Sequence, residues 1–188
     1  MEIKQYNYRR PRHLARNIIE EIDSIAVHHT GAYKTINDYT DWHIDGNKWN
    51  WLGYGYVIME DGTIYQARGY KYTNAAVQYH NSHIVSIALN GNFDKSEPTP
   101  LQLESLAYLI DYLKKECRNI NTVAGHNKWN HTSCPGRNLN LSNIEKYKRT
   151  YVKPNDEIEE LKKEIAALDR KVDRIIGMVD RKLAKVIK

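Results

Sequence analysis

The chain is poor in several things that would each have fixed its class. Of 188 residues only two are cysteine, Cys117 and Cys134, and one is phenylalanine. Two thiols cannot staple a disulfide-dense scaffold, so stability has to come from a packed core. No run of eighteen apolar residues occurs, which removes a membrane-spanning helix. The opening Met1-Glu2-Ile3-Lys4-Gln5-Tyr6 lacks the apolar segment of a secretory leader. The expectation is therefore a protein kept in the cytoplasm until something else releases it. With 41% hydrophobic and 27% charged residues, the composition is too balanced for disorder.

The length allows one domain with a proper core plus something small. A net charge of +5 suits an acidic partner, whether a polymer, a nucleic acid or an anionic lipid. Residues 1–23 begin basic (Arg9, Arg10, Arg12, Arg16) and then read as a short helix over 14–21. No partner helix or second basic patch supports a nucleic-acid arm, so this segment reads as a solvated arm packed on the domain, and no nucleic acid is expected. Fourteen tyrosines fit either core rings with wet tips or a glycan-facing surface.

The chemistry concentrates in Ala124-Gly125-His126-Asn127-Lys128-Trp129-Asn130-His131-Thr132-Ser133-Cys134-Pro135-Gly136. His126 and Cys134 stand eight residues apart in a segment whose Gly, Asn and Pro can bend both onto one centre. An imidazole and a thiolate favour zinc. The best third ligand is His28, at the end of the apolar run Ile25-Ala26-Val27. Two histidines and one thiolate leave the fourth tetrahedral position open, the arrangement of catalytic rather than structural zinc. A blue-copper site would want an axial methionine, and Met1, Met59 and Met178 lie in no suitable loop. His29 alternates to the other side of its strand. Taken singly, each ligand would read as a core histidine or a buried thiol. His131 reads as an exposed loop residue, and Cys117 as a buried thiol ending a helix.

Taken in order, the strand ending HHT, then GYGYVI, EDGTIYQAR, SIALNGNF and GHNKWNHTSCPG resemble the zinc-dependent N-acetylmuramoyl-L-alanine amidases, the family of amidase-type phage endolysins and peptidoglycan recognition proteins. The resemblance covers roughly residues 24–147. It implies one Zn2+ per chain on His28, His126 and Cys134, and a central sheet with helices on both faces. It also implies hydrolysis of the amide between N-acetylmuramic acid and L-alanine in bacterial peptidoglycan. Tyr54 matches the catalytic tyrosine of the phage and recognition-protein branches. Thr132 falls where phage lysins often carry lysine and catalytic recognition proteins threonine. A hydroxyl there can donate to an oxyanion but brings no charge. Another branch has a glutamate where this chain has Ala88, which leaves more of the work to Tyr54 and the metal. Trp42, His43, Trp49, Trp51 and His80 read equally well as groove or core residues.

The pattern predicts strands over 24–28, 54–59, 63–67, 84–89 and 122–124, with a hairpin turn at Glu60-Asp61-Gly62. It predicts a helix capped by Thr35 and ended by Gly46, and a longer one over 100–117 capped by Thr99 with Pro100 at N1. Strands alternating with helices argue an α/β domain with a mixed central sheet flanked by helices, over 1–150. Residues 151–155 then read as a linker and 156–188 as a charged helix. Its apolar positions Ile158, Leu161, Ile165, Leu168, Val172, Ile175 and Val179 keep a 4,3 spacing. β-Branched residues at a, with leucine at the early d positions, favour a parallel coiled coil and a homo-oligomer. Ile176, Met178 and Leu183 widen the apolar face beyond a dimer seam.

The function expected is that of a peptidoglycan hydrolase, and an endolysin that lyses a host. The rival expectations are a peptidoglycan-binding module without catalysis, disfavoured by Cys134, and a coiled-coil assembly protein without metal or turnover.

Overall fold

The computed structural model describes residues 1–149 and 154–186, the side chains of the latter stretch over 161–178. Backbone contacts divide the chain into two compact units, Met1–Tyr151 and Val152–Lys188.

The first unit is built on a six-stranded mixed sheet. Its strands are β1 (Ile3–Gln5), β2 (Ser24–His29), β3 (Tyr56–Ile58), β4 (Ile64–Gln66), β5 (Ile84–Leu89) and β6 (Thr122–Gly125). They lie in the order β1-β4-β3-β5-β2-β6, and among the described strands only β3 and β4 pair antiparallel. β2 and β5 are central and almost wholly buried, which is why both read as continuous apolar runs rather than alternating ones. Gly62 supplies the left-handed residue of the β3–β4 hairpin at φ +80°.

Helix α1 (Ile36–Asp41) starts at the capping box expected from Thr35 and Asp38, and a π-type turn (Trp42–Gly46) continues it to the expected glycine. Helix α2 (Pro100–Glu116) carries the second capping box, Thr99 with Gln102. It presses Leu106, Ala107, Ile110 and Leu113 against Ile25, Val27, Val85 and Ile87 on one face of the sheet. Burying each of these leucines contributes about 2 kcal/mol. On the other face, Val57 and Ala88 pack with Ile36, Tyr39, Trp51 and Leu52.

The N-terminal segment departs from expectation. Residues 14–21 are not a helix: Arg16 bridges Tyr72, and only a 3-10 turn, Ile19–Glu21, forms. Backbone bonds Asn17 N–H to Lys71 C=O and Thr73 N–H to Ala15 C=O tie the segment to a neighbouring loop, overriding its weak helical pattern. The sequence reading also missed β1, a three-residue strand too short to show periodicity. Arg9 holds this arm on α1 and the turn after it, with ion pairs to Asp41 at 2.7 Å and Asp45 at 2.6 Å.

In the second unit, helix α3 (Pro154–Val186) is continuous over 33 residues. Residues 151–153 of the expected linker and the last two residues of the expected helix lie outside the described residues. So do the side chains at Ile158, Val179, Lys182 and Val186.

Candidate metal centre and groove

β2 carries His28 to the end of the sheet, where it pairs with Ala88 of β5. Ala88 in turn pairs with Val57 of β3. The small methyl across from His28 leaves its ring room on the α1 face. The pleat turns His29 to the opposite face, where Nδ1 accepts the Phe93 N–H at 3.1 Å.

The other two potential ligands arrive on one folded segment. His126 follows β6 directly, and Asn127 N–H donates to the Cys134 carbonyl at 2.9 Å, closing the loop between them. Gly125 is required here: a Cβ would lie 2.5 Å from Pro135 Cδ, so any side chain would push the Cys134 arm away. Ser133 anchors the far side by donating to Asp94 at 2.8 Å.

These elements bring His28, His126 and Cys134 together, with one ligand atom from each inside a 4.8 Å span. Cys134 Sγ lies 3.6 Å from His28 Nδ1. That is about the N···S edge of a tetrahedron with zinc–nitrogen and zinc–sulfur bonds of ~2.05 and ~2.3 Å. His126 Nε2 donates to Asn130 Oδ1 at 2.9 Å, which leaves the Nδ1 lone pair free.

His28 is buried, with Nδ1 turned toward Cys134 and Nε2 without a hydrogen-bond partner. Burial, together with the His126 and His29 rings, pushes its pKa well below the usual histidine value, so it is neutral. Burial pushes the Cys134 thiol up to about 11. A cation would reverse that preference and take the thiolate. The donor set fits zinc: two neutral imidazoles and a thiol that needs a positive charge to ionise.

A cavity of about 290 Å³ opens on these three residues, walled by Tyr54, His43, Trp42 and Trp49. The Tyr54 ring sits 5.5 Å from the His28 ring and 5.6 Å from that of His43. Burial, then Cys134 and Tyr39, hold the Tyr54 phenol well above its usual pKa, so it stays a proton donor. An adjoining lobe of about 520 Å³ continues past His126 along Val77, Gln78, Asn130, His131 and Thr132. Thr132 faces this lobe, and its Oγ1 accepts the Cys134 N–H at 3.2 Å. That bond makes it a brace for the loop, with the hydroxyl proton still available.

His43 is the residue whose role the sequence left open. It is buried, its Nδ1 accepts the Gly53 N–H at 3.2 Å, and its ring stacks on Trp49 at 4.7 Å. Burial, aided by Arg68, depresses its pKa to about 4. The ring is therefore neutral, with its proton on Nε2. Helical spacing put Trp42 and His43 on one stripe with Ile36 and Tyr39; the fold separates them, with Trp42 exposed at the rim and His43 buried in the cavity wall. Trp51 is core, donating to the Tyr8 carbonyl. His80 pairs with His83, which binds Asp23 at the far end of β2, away from the cavity.

The N-acetylmuramoyl-L-alanine amidase family pattern matches residues 19–137. The chain is 31% identical over 108 residues to peptidoglycan-recognition protein LB of Drosophila melanogaster, covering 56% of this chain and 47% of that protein. It is 28% identical over 97 residues to the N-acetylmuramoyl-L-alanine amidase of Sus scrofa, covering 50% of this chain and 16% of the relative. The match thus spans somewhat less than half the length of the first and a small part of the second. Among solved structures, the endolysin N-acetylmuramoyl-L-alanine amidase LysCS from Clostridium intestinale URNW superposes with TM-score 0.68 and 28% identity. That match covers 77% of this chain and 93% of the other.

Proposed function

Because the chain belongs to the N-acetylmuramoyl-L-alanine amidase family, we propose that it is a zinc-dependent hydrolase of the amide between N-acetylmuramic acid and L-alanine in peptidoglycan. The observation that carries this reading is the convergence of His28, His126 and Cys134 beside Tyr54 in one cavity. His28, His126 and Cys134 would hold the zinc ion, which would supply a Lewis acid and a water acidic enough to serve as nucleophile near neutral pH.

The chain's own groups do the rest. Tyr54, protonated at any working pH, donates a hydrogen bond toward the oxygen on which charge develops as the amide is attacked. Trp42 and Trp49 offer flat apolar walls to the substrate and narrow the access of bulk water. His43 stacks on Trp49 and forms part of the cavity wall with it. Thr132 and Asn130 keep the ligand loop in register through Cys134 and His126. Tyr54 and Thr132 are assigned here as the catalytic pair, with Thr132 the weaker member because it brings no charge.

Similarity to an endolysin supports a lytic role in which the enzyme waits in the host cytoplasm until it reaches the wall. No described helix is long and apolar enough to cross a membrane. The peptidoglycan-recognition relatives favour a second reading, binding without cleavage. Cys134 argues against it, since a receptor has no need of a complete ligand set.

The test is digestion of purified sacculi by zinc-loaded protein. Release of free L-alanine amino groups without new reducing sugars is the expected result. Binding to sacculi with neither product leaves the receptor reading.

A further inference from the structure

The second unit exposes a face that the chemistry does not use. Leu161, Ile165, Leu168, Val172 and Ile175 lie along one side of α3, each 51–59 % exposed. A stripe of that length on a 33-residue helix calls for a cover. From the distribution of charge along the helix, we propose that the cover is α3 of a second copy, running antiparallel.

The a and d residue types alone favour the parallel arrangement. Charge reverses that preference. The first turns of α3 carry Asp156, Glu157, Glu159 and Glu160, and the last carry Arg181, Lys182 and Lys185. A parallel pair stacks acid on acid at one end and base on base at the other. It also sets Lys182, at a d position, against its own copy in the seam. Of its flanking pairs, Glu157 with Lys162 attracts and Glu164 with Asp169 repels, so these cancel.

An antiparallel pair removes both conflicts without any stagger. When the two copies of Pro154–Val186 overlap end to end, position a of one faces position d of the other. Leu161 then meets Val179, Ile165 meets Ile175 and Leu168 meets Val172 of the second copy. Lys182 comes opposite Ile158, beside Glu157, instead of opposite a second lysine. The flanking g positions set Glu157 across from Lys185 at both ends. The remaining like-charge contacts, Lys171 with itself and Asp169 with itself, each occur once, near the middle and exposed to solvent, where they cost little. A membrane surface explains the stripe less well, because the acidic first turns would face anionic headgroups.

This arrangement carries a geometric consequence. The two chains enter the shared coil about 50 Å apart, one at each end, since 33 residues rise ~1.5 Å each.

The test uses the full native chain. Equal amounts of 14N- and 15N-labelled protein are mixed at tens of micromolar and sized by light scattering. They are then joined with a zero-length carboxyl-to-amine cross-linker and mapped by mass spectrometry. The expected outcome is a dimer whose mixed-isotope links join residues 156–160 of one copy to 181–188 of the other. Links from Glu157 to Lys162 between copies, a dimer without end-to-end links, a monomer, or a larger assembly would each overturn the proposal. No substrate enters the experiment, so its result is independent of the hydrolase reading.

Discussion

Cys134 Sγ stands 3.6 Å from Nδ1 of His28, a residue 106 positions earlier in the chain. Burial holds the thiol protonated and the imidazole neutral, and a cation between them would take the thiolate. About one zinc per chain is therefore expected in protein purified without chelators, measured by elemental analysis. Cys134→Ser should lower zinc affinity by at least tenfold and abolish turnover while the circular dichroism of the fold persists. A fully active zinc-free protein would exclude the mechanism.

Tyr54→Phe removes one hydroxyl from the cavity and no metal ligand. Turnover should fall by roughly ten- to a thousandfold with zinc content unchanged. Thr132→Ala should cost less in turnover. Because Thr132 Oγ1 accepts the Cys134 N–H, its loss should also appear as weaker zinc retention, which Tyr54→Phe should not show. Full activity of Tyr54→Phe would move the donor role elsewhere.

His43 gives the domain a pH dependence whose sign is fixed. Its folded-state pKa lies near 4, below the ~6.5 of an unfolded histidine, so the unfolded chain binds the proton more readily. The associated stability is complete above about pH 6.5 and is lost progressively as pH falls toward 4, by up to ~3 kcal/mol. Denaturant melts of metal-free protein at pH 7 and pH 4.5 should show this loss. His43→Gln, which can still accept from Gly53, should lose correspondingly less over the same interval.

Gly125→Ala tests whether the close approach of the two ligand arms matters. The added Cβ meets Pro135 at 2.5 Å, and the loop can relieve that only by moving Pro135 and with it Cys134. Zinc affinity should fall by roughly tenfold or more, equivalent to more than about 1.4 kcal/mol. The melting temperature of the metal-free domain should change much less. An unchanged zinc affinity would mean that the loop has slack the contacts do not suggest.

The elements easiest to read in the sequence were those whose pattern is local. The capping boxes at Thr35 and Thr99 and the continuous apolar strands β2 and β5 each have a signature within a few residues, and each is found. The order of the ligand segments pointed to His28, His126 and Cys134 because metal chemistry restricts residue type so sharply. What stayed illegible depends on partners distant in sequence. β1 exists because β4 offers it an edge, and residues 14–18 form no helix because the loop at Lys71 and Thr73 claims the backbone bonds of Ala15 and Asn17. His43 read equally well as groove or core, because its place in the cavity wall depends on Gly53, ten residues on, donating to its Nδ1. Heptad spacing on α3 predicted a parallel coiled coil from its a and d residues alone; the charges at the two ends of the helix are what the antiparallel proposal adds.

β1 also bears on how the protein behaves when handled. Its three residues are the last rung of the sheet beyond β4, and Tyr6 N–H continues the ladder to the Gln66 carbonyl. Removing the first half-dozen residues would leave one margin of β4 with its N–H and C=O groups open, a template onto which another chain can pair. Tyr6 would go too, and with it the ring stacked on Trp51. A shortened protein should therefore keep its metal ligands and yet precipitate, so the outermost strand serves solubility more than catalysis.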